Sequence, residues 1–283
     1  MALGLILLLA VLQGVTEFLP VSSSGHLRLM QAVFGISDPQ TLVDVMLHLG
    51  TLVAVILVYR REVARILKSL VRSAGHLRSA GHRGLLQKEP ETRLALLLLL
   101  GTVPAALVGL SLGATMERAL TAPHLVGLFL LLNGTVLFVA GRSRAAQGER
   151  PGRRLHELTP RDALIIGVAQ SFALLRGISR SGSTISVALL CGVEREDAAR
   201  FSFLLSIPAI LGAATLELRH LERGEGAALS ALVLGALAAA VVGWLALKAL
   251  LQVVRRGRLA GFAWYCWGVG LLAIVLGLAG GRG

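Results

Sequence analysis

The sequence predicts an all-α integral membrane protein, with six transmembrane helices and two re-entrant helical hairpins related as an inverted-topology repeat. Three observations predict it. Of 283 residues, 55% are hydrophobic, and mean hydropathy is +0.74, more apolar than a soluble domain of this size. Several apolar runs reach the roughly 20 residues that cross ~30 Å of hydrocarbon. Two further apolar stretches are interrupted midway by polar, glycine- and serine-rich segments.

The expected spans are Leu42–Tyr59, Leu94–Gly113, Leu120–Ala140, Ala199–Leu216, Ala227–Leu251 and Gly261–Ala279. The interrupted stretches are Ala2–Val33, broken by Gln13, Glu17, Pro20 and Ser22–His26, and Asp162–Gly192, broken by Arg176, Gly177 and Ser179–Ser183. Each half is too short to cross as a helix and too apolar for an aqueous loop. A re-entrant hairpin fits, because irregular backbone at depth survives only inside protein or beside a polar cavity. The whole chain then reads as one membrane domain. Residues 1–140 form the first repeat half, 141–161 a basic linker, and 162–283 the second half.

Net charge is +12, which invites nucleic-acid binding; the placement of the charge excludes it. Nine Lys or Arg fall in Arg60–Arg93, six in Arg142–Arg161, two in Val193–Arg200 and three in Gln252–Ala260, against five in the segments of the opposite side. Cytoplasmic loops carry this excess, so both termini are expected outside the cytoplasm, with the hairpins entering from opposite faces. The two cysteines, Cys191 and Cys266, make no disulfide framework or zinc spacing. No Lys or Arg precedes Arg28, so a signal peptide lacks its basic start, and the first segment is expected to stay.

A shift of 157 sets Gln13 on Gln170 and Ser22–Gly25 on Ser179–Gly182. A shift of 158 sets Asp44 on Ser202 and His48 on Ser206. Inverted-repeat membrane proteins hold their sites near the midplane, where broken helices meet.

Ionisable groups within a membrane cost roughly 2.5–3.5 kcal/mol each on insertion scales and are functional candidates by default. Gln13 and Glu17 share a helical face, and Ser23 and His26 are three apart. The second hairpin offers Ser179, Arg180, Ser181 and Thr184 around two glycines. An arginine fork, hydroxyls and helix N-terminal amides suit phosphoryl oxygens. Glu17, with Gln13, suits a divalent cation or orients water, while His26 suits an acid, base or nucleophile. Plain structural roles also exist: serines and glycines pack membrane helices closely, and Glu17 could simply neutralise Arg180. Asp44 and His48 stand between packing support and site. Small residues in Ala227–Gly243 suit close helix contacts, including those of a homodimer.

At these residues the chain resembles the undecaprenyl-diphosphate phosphatase family of bacterial membranes, the bacitracin-resistance type. The resemblance rests on Gln13–His26 and Gly177–Thr184, supported by Asp44–Thr51 and Phe201–Ala213. It implies an inner-membrane enzyme that hydrolyses the polyprenyl diphosphate carrier to its monophosphate, recycling it for peptidoglycan and wall synthesis. It also implies a divalent cation (magnesium or calcium) and a site open to the periplasm. The family's site residues carry over at Gln13, Glu17, Ser23, His26, Ser179, Arg180 and Thr184. Either Ser23 or His26 attacks the terminal phosphorus, or His26 activates the attacker. Two positions depart: Gln13 stands where many members have glutamate, and Arg176 replaces the usual proline before Gly177. The phosphatidic-acid phosphatase type is rejected, because its Ser-Arg-x5-His-x3-Asp motif is absent after Arg180. A transporter or lipid flippase on the same repeat is the competing reading.

Overall fold

The computed structural model describes residues 2–36, 41–76, 89–120, 122–148, 152–219 and 228–280. Among them every regular element is helical, with no named strand and one isolated bridge, Arg153 to Val193. The helices are α1 (Leu3–Phe18), α2 (Ser23–Val33), α3 (Thr41–Val58), α4 (Arg60–His76), α5 (Pro90–Ala119) and α6 (Pro123–Gly141). A short α7 (Arg144–Gln147) and a 3-10 turn (Leu155–Glu157) precede α8 (Pro160–Phe172), α9 (Arg180–Leu190), α10 (Arg195–Arg219), α11 (Leu229–Arg255) and α12 (Gly261–Gly280).

Five of these are long and apolar enough to cross a membrane: α5, α6, α10, α11 and α12. Each coincides with an expected span to within a few residues. The expected Leu42–Tyr59 span is α3, which passes the same test jointly with α4 across an 85° bend. That bend is the main element the sequence reading omitted. Arg60–His76 is an amphipathic helix: Val63 and Ile66 pack against the core, while Arg60, Arg61 and Arg72 are exposed. Apolar residues three and four apart among the basic ones were its signal.

The two interrupted stretches are each two short helices around a non-helical break. α1 ends because Leu19, preceding Pro20, is extended (ψ 140°), as a residue before proline prefers. α2 restarts from Ser22, whose Oγ accepts from the Gly25 amide at 3.3 Å. α9 restarts in the same way from Ser179, whose Oγ accepts from the Gly182 amide at 3.1 Å. Both caps satisfy an amide that the first helical turn leaves without a partner.

Packing joins the two sequence halves. α1 and α3 both lie along α11, α8 and α10 both lie along α5, and α6 pairs with α12 over its length. Small residues permit these approaches. Gly14 meets Ala239 and Gly243, Gly50 meets Ala236, and Gly167 meets the Gly101 carbonyl. Among the small residues of Ala227–Gly243, Ala236, Ala239 and Gly243 pack against α1 and α3 of the same chain. A continuous core of Phe18, Leu137, Ile185, Phe201, Phe203 and Leu247 lies beneath the two breaks.

Candidate active site

The two breaks meet at the centre of the fold, and backbone chemistry holds them together. Gly177 has φ +118°, a conformation that side chains rarely adopt. Its amide donates to Ser22 Oγ at 3.1 Å, so Ser22 caps its own helix and grips the other hairpin. Ser22 itself is the one described non-glycine residue at positive φ, +70°. Asn133 of α6, 1% exposed, completes the clamp. Its Nδ2 donates to the Pro20 carbonyl at 2.9 Å, and its Oδ1 accepts from the Ser179 amide at 3.0 Å. The sequence reading missed Asn133, whose only signal was a lone amide in an apolar span.

This clamp sets Glu17 against Arg180. Arg180 Nη2 donates to Glu17 Oε1 at 2.5 Å, with both side chains largely buried. Glu17 Oε2 accepts from Ser23 Oγ at 2.6 Å and from Gln13 Nε2 at 2.9 Å. His48 Nδ1 bonds the Asp44 carbonyl at 2.7 Å, and its Nε2 lies 3.7 Å from Glu17 Oε2. One carboxylate therefore gathers a hydroxyl, an amide and a guanidinium, with an imidazole alongside. Two atoms beside it have no hydrogen-bond partner among the described residues: Arg180 Nη1 and Gln13 Oε1.

A cavity of about 630 Å3 opens from this cluster. Its polar end is lined by Glu17, Ser23, His48, Gln170, Ser179 and Arg180. The remainder runs between α5 and α10 past Ala105, Ala106, Gly109, Ala209, Gly212 and Ala213, an apolar arm with a polar head.

Of the residues singled out from sequence, Glu17, Ser23, Ser179 and Arg180 border the cavity, and Gln13 stands directly behind Glu17. Ser181 is buried, bonded to Ser179 Oγ and the Leu19 carbonyl. Thr184 is wholly buried, its hydroxyl on the Arg180 carbonyl at 2.7 Å and on Ser202 Oγ at 2.5 Å. His26 is not in the cavity lining. Its Nδ1 donates to the Ser22 carbonyl at 2.8 Å, so Nε2 accepts from the Tyr265 hydroxyl at 2.9 Å. The histidine facing the cavity is His48, and Tyr265 is a partner that the sequence did not reveal.

The model of the family described as bacitracin resistance protein BacA matches residues 6–272. The chain belongs to this family. Relatives across it align over nearly their whole length. A protein of Desulforapulum autotrophicum named undecaprenyl-diphosphatase is 44% identical over 271 residues, covering 95% of this chain and 96% of the relative. Proteins of the same name from Rubrobacter xylanophilus and Korarchaeum cryptofilum are 44% and 42% identical, each covering 95% of this chain and 96% and 97% of the relative respectively. The Gln13–His26 and Gly177–Thr184 motifs both fall within the matched region of the BacA family, and in this member they are the two breaks joined by Ser22 and Asn133.

Proposed function

We propose that this chain hydrolyses undecaprenyl diphosphate to undecaprenyl phosphate and inorganic phosphate, returning the carrier to peptidoglycan synthesis and conferring bacitracin resistance. The observation that carries the reading is the hydrogen-bonded Ser23–Glu17–Arg180 set at the polar end of an apolar-armed cavity. A hydroxyl within bonding reach of a carboxylate is a nucleophile beside its base. An arginine with one nitrogen uncommitted is a phosphoryl clamp. The arm between α5 and α10 suits an isoprenoid tail.

Chemistry follows from this placement. Ser23 Oγ attacks the terminal phosphorus as its proton passes to Glu17 Oε2, and the bond from phosphorus to the bridging oxygen breaks. The electron pair leaves with undecaprenyl phosphate. Arg180 Nη1 and the amides at the α9 N-terminus bear the charge that develops on the phosphoryl oxygens. Water then displaces phosphate from Ser23, and Glu17 exchanges the proton again. His26, held between Ser22 and Tyr265, fixes the start of α2 and so aims Ser23. Ser181 and Thr184 brace the clamp from behind.

Among the described residues no cluster of three His, Cys, Asp or Glu could hold a metal alone. The donor set does fit a magnesium or calcium ion that takes most of its oxygens from diphosphate and water. Glu17 and the unpartnered Gln13 Oε1 would supply the protein oxygens. When bound, such an ion neutralises phosphate charge.

The topology proposed is six spans, with α3 the sixth, and two re-entrant hairpins in an inverted repeat within one domain. It is supported by exchange packing, α1 and α3 on α11 against α8 and α10 on α5, and by the matching Ser22 and Ser179 caps. The distribution of basic residues favours both termini outside the cytoplasm, and membership of the bacitracin-resistance family supports a bacterial inner membrane. The decisive assay is phosphate release from undecaprenyl diphosphate by the purified chain in detergent with magnesium or calcium. Release supports the reading; none overturns it.

A further inference from the structure

Gln170 lies in the last turn of α8, 3% exposed, and among the described residues neither its Nε2 nor its Oε1 has a hydrogen-bond partner. A primary amide brings two donors and an acceptor, and burying them unmet is costly. Buried polar groups are nearly always satisfied, so such an exception calls for a cause. The fold supplies none. The backbone around Gln170 is already bonded, its carbonyl accepting from the Ala173 amide at 3.0 Å.

A second orphan borders the same chamber. Arg180 Nη1 is buried and unpartnered, and both Arg180 and Gln170 line the cavity that holds Glu17 and Ser23. Two side chains with unspent donors, from α8 and α9, thus border one chamber, and a ligand rich in acceptor oxygens held there would satisfy both at once. Gln13 at the matching place in α1 gives the contrast. Its Nε2 is committed to Glu17, whereas the amide of Gln170 is left for whatever enters.

We infer that Gln170 is a substrate-contacting residue: its Nε2 donates to a phosphoryl oxygen beside the one held by Arg180 Nη1. Its Oε1 accepts from a proton of the phosphate group or of water bound with it. The inference deepens the phosphatase reading and rests on it for the identity of the substrate, while phosphate binding can be measured apart from turnover. Because the amide is neutral, it adds a directional donor without adding charge that would retain the phosphate product.

Gln170→Leu in the full-length chain separates this from a packing role. Leucine keeps about the same volume and removes both unmet atoms, so the melting temperature should hold or rise. Meanwhile kcat/KM for undecaprenyl diphosphate should fall about tenfold to hundredfold, as when one transition-state hydrogen bond is lost. The rise in melting temperature that inorganic phosphate gives the parent should shrink in the variant. A kcat/KM within about threefold of the parent's, or an undiminished response to phosphate, overturns the inference. So does a parent that shows no phosphate response at all. A parent that binds phosphate through Gln170 but hydrolyses no undecaprenyl diphosphate would remove the phosphatase reading and leave the contact standing.

Discussion

Arg180 and Glu17 stand 163 positions apart in the chain, yet Nη2 of one lies 2.5 Å from Oε1 of the other. This ion pair joins the two interrupted stretches across their breaks, from the last turn of α1 to the first residue of α9. It is also incomplete as a structural pair, because Arg180 Nη1 is buried without a partner. Neutralising Glu17 uses only part of the guanidinium; the remainder points to an anion.

Replacing Arg180 with alanine should abolish phosphate release in detergent, where there are no membrane sides for transport to act across. The expected loss is at least about a hundredfold to a thousandfold in kcat, the scale of one missing charge-stabilising donor. Arg180→Lys should recover little, since an ammonium cannot serve Glu17 and a phosphoryl oxygen with a planar fork. Activity surviving in Arg180→Ala would remove the clamp from the mechanism.

Asn133 should matter to both hairpins at once. Asn133→Ala leaves the Pro20 carbonyl and the Ser179 amide buried without their partner. Each such group costs about 1–3 kcal/mol, so a clear fall in melting temperature is expected. Because the same bonds align Ser23 with Arg180, kcat should fall as well. A variant with parental stability and rate would show that the clamp is incidental.

Much of this arrangement was legible in the sequence. Long apolar runs marked five spans to within a few residues, and Pro20 with the serine-glycine segments marked both breaks. The 157-residue shift matched Ser22 with Ser179, which became equivalent helix caps. What remained hidden depended on contacts between distant segments. Asn133 and Tyr265 sit in spans whose periodicity says only that they face protein or lipid. His26 has chemistry-bearing neighbours in the sequence, but its orientation towards Tyr265 follows from how α12 packs. His48 fits packing or site equally by sequence, and the structure puts it in the cavity lining. The right-angle turn into α4 was obscured by charge, because basic residues that mark a loop also line the wet face of an interfacial helix.

Gln13→Glu should sharpen the dependence on divalent cation. Gln13 Nε2 now donates to Glu17 at 2.9 Å; glutamate there would set two carboxylates side by side, favouring a cation between them. Half-maximal activity should move to lower magnesium concentration. An unchanged metal titration would make position 13 purely structural.

Arg153 and Asp162 make a pH-sensitive fastening at the linker end of α8, outside the apolar spans. Both guanidinium nitrogens bond the carboxylate at 2.8 Å. The Arg153 hydrogen bonds, helped by those from Thr159, hold the Asp162 carboxyl well below the usual carboxylate range. A depressed folded pKa contributes stability that is present above the unfolded value and is lost as pH falls through the folded one. Melting temperature should therefore decline on the acid side, and less steeply in Asp162→Asn. Identical acid limbs in parent and variant would show that the pair contributes nothing.

Close approach of α5 and α8 should not tolerate a methyl group at Gly167, which would collide with the Gly101 carbonyl. Gly167→Ala should cost about 1–3 kcal/mol, as overpacking does. Gly4→Ala, with open space around it, should be neutral or slightly stabilising. Equal melting temperatures for the two variants would contradict the packing described.

The most direct test of the site is quenching with denaturant at neutral pH, where phosphoserine and phosphohistidine both survive, during turnover of undecaprenyl diphosphate labelled in its terminal phosphate, followed by mapping of the protein-bound label. The Ser23–Glu17 bond predicts label on Ser23, absent in Ser23→Ala and preserved in Tyr265→Phe. Label on His26, or turnover that persists in Ser23→Ala, would contradict it.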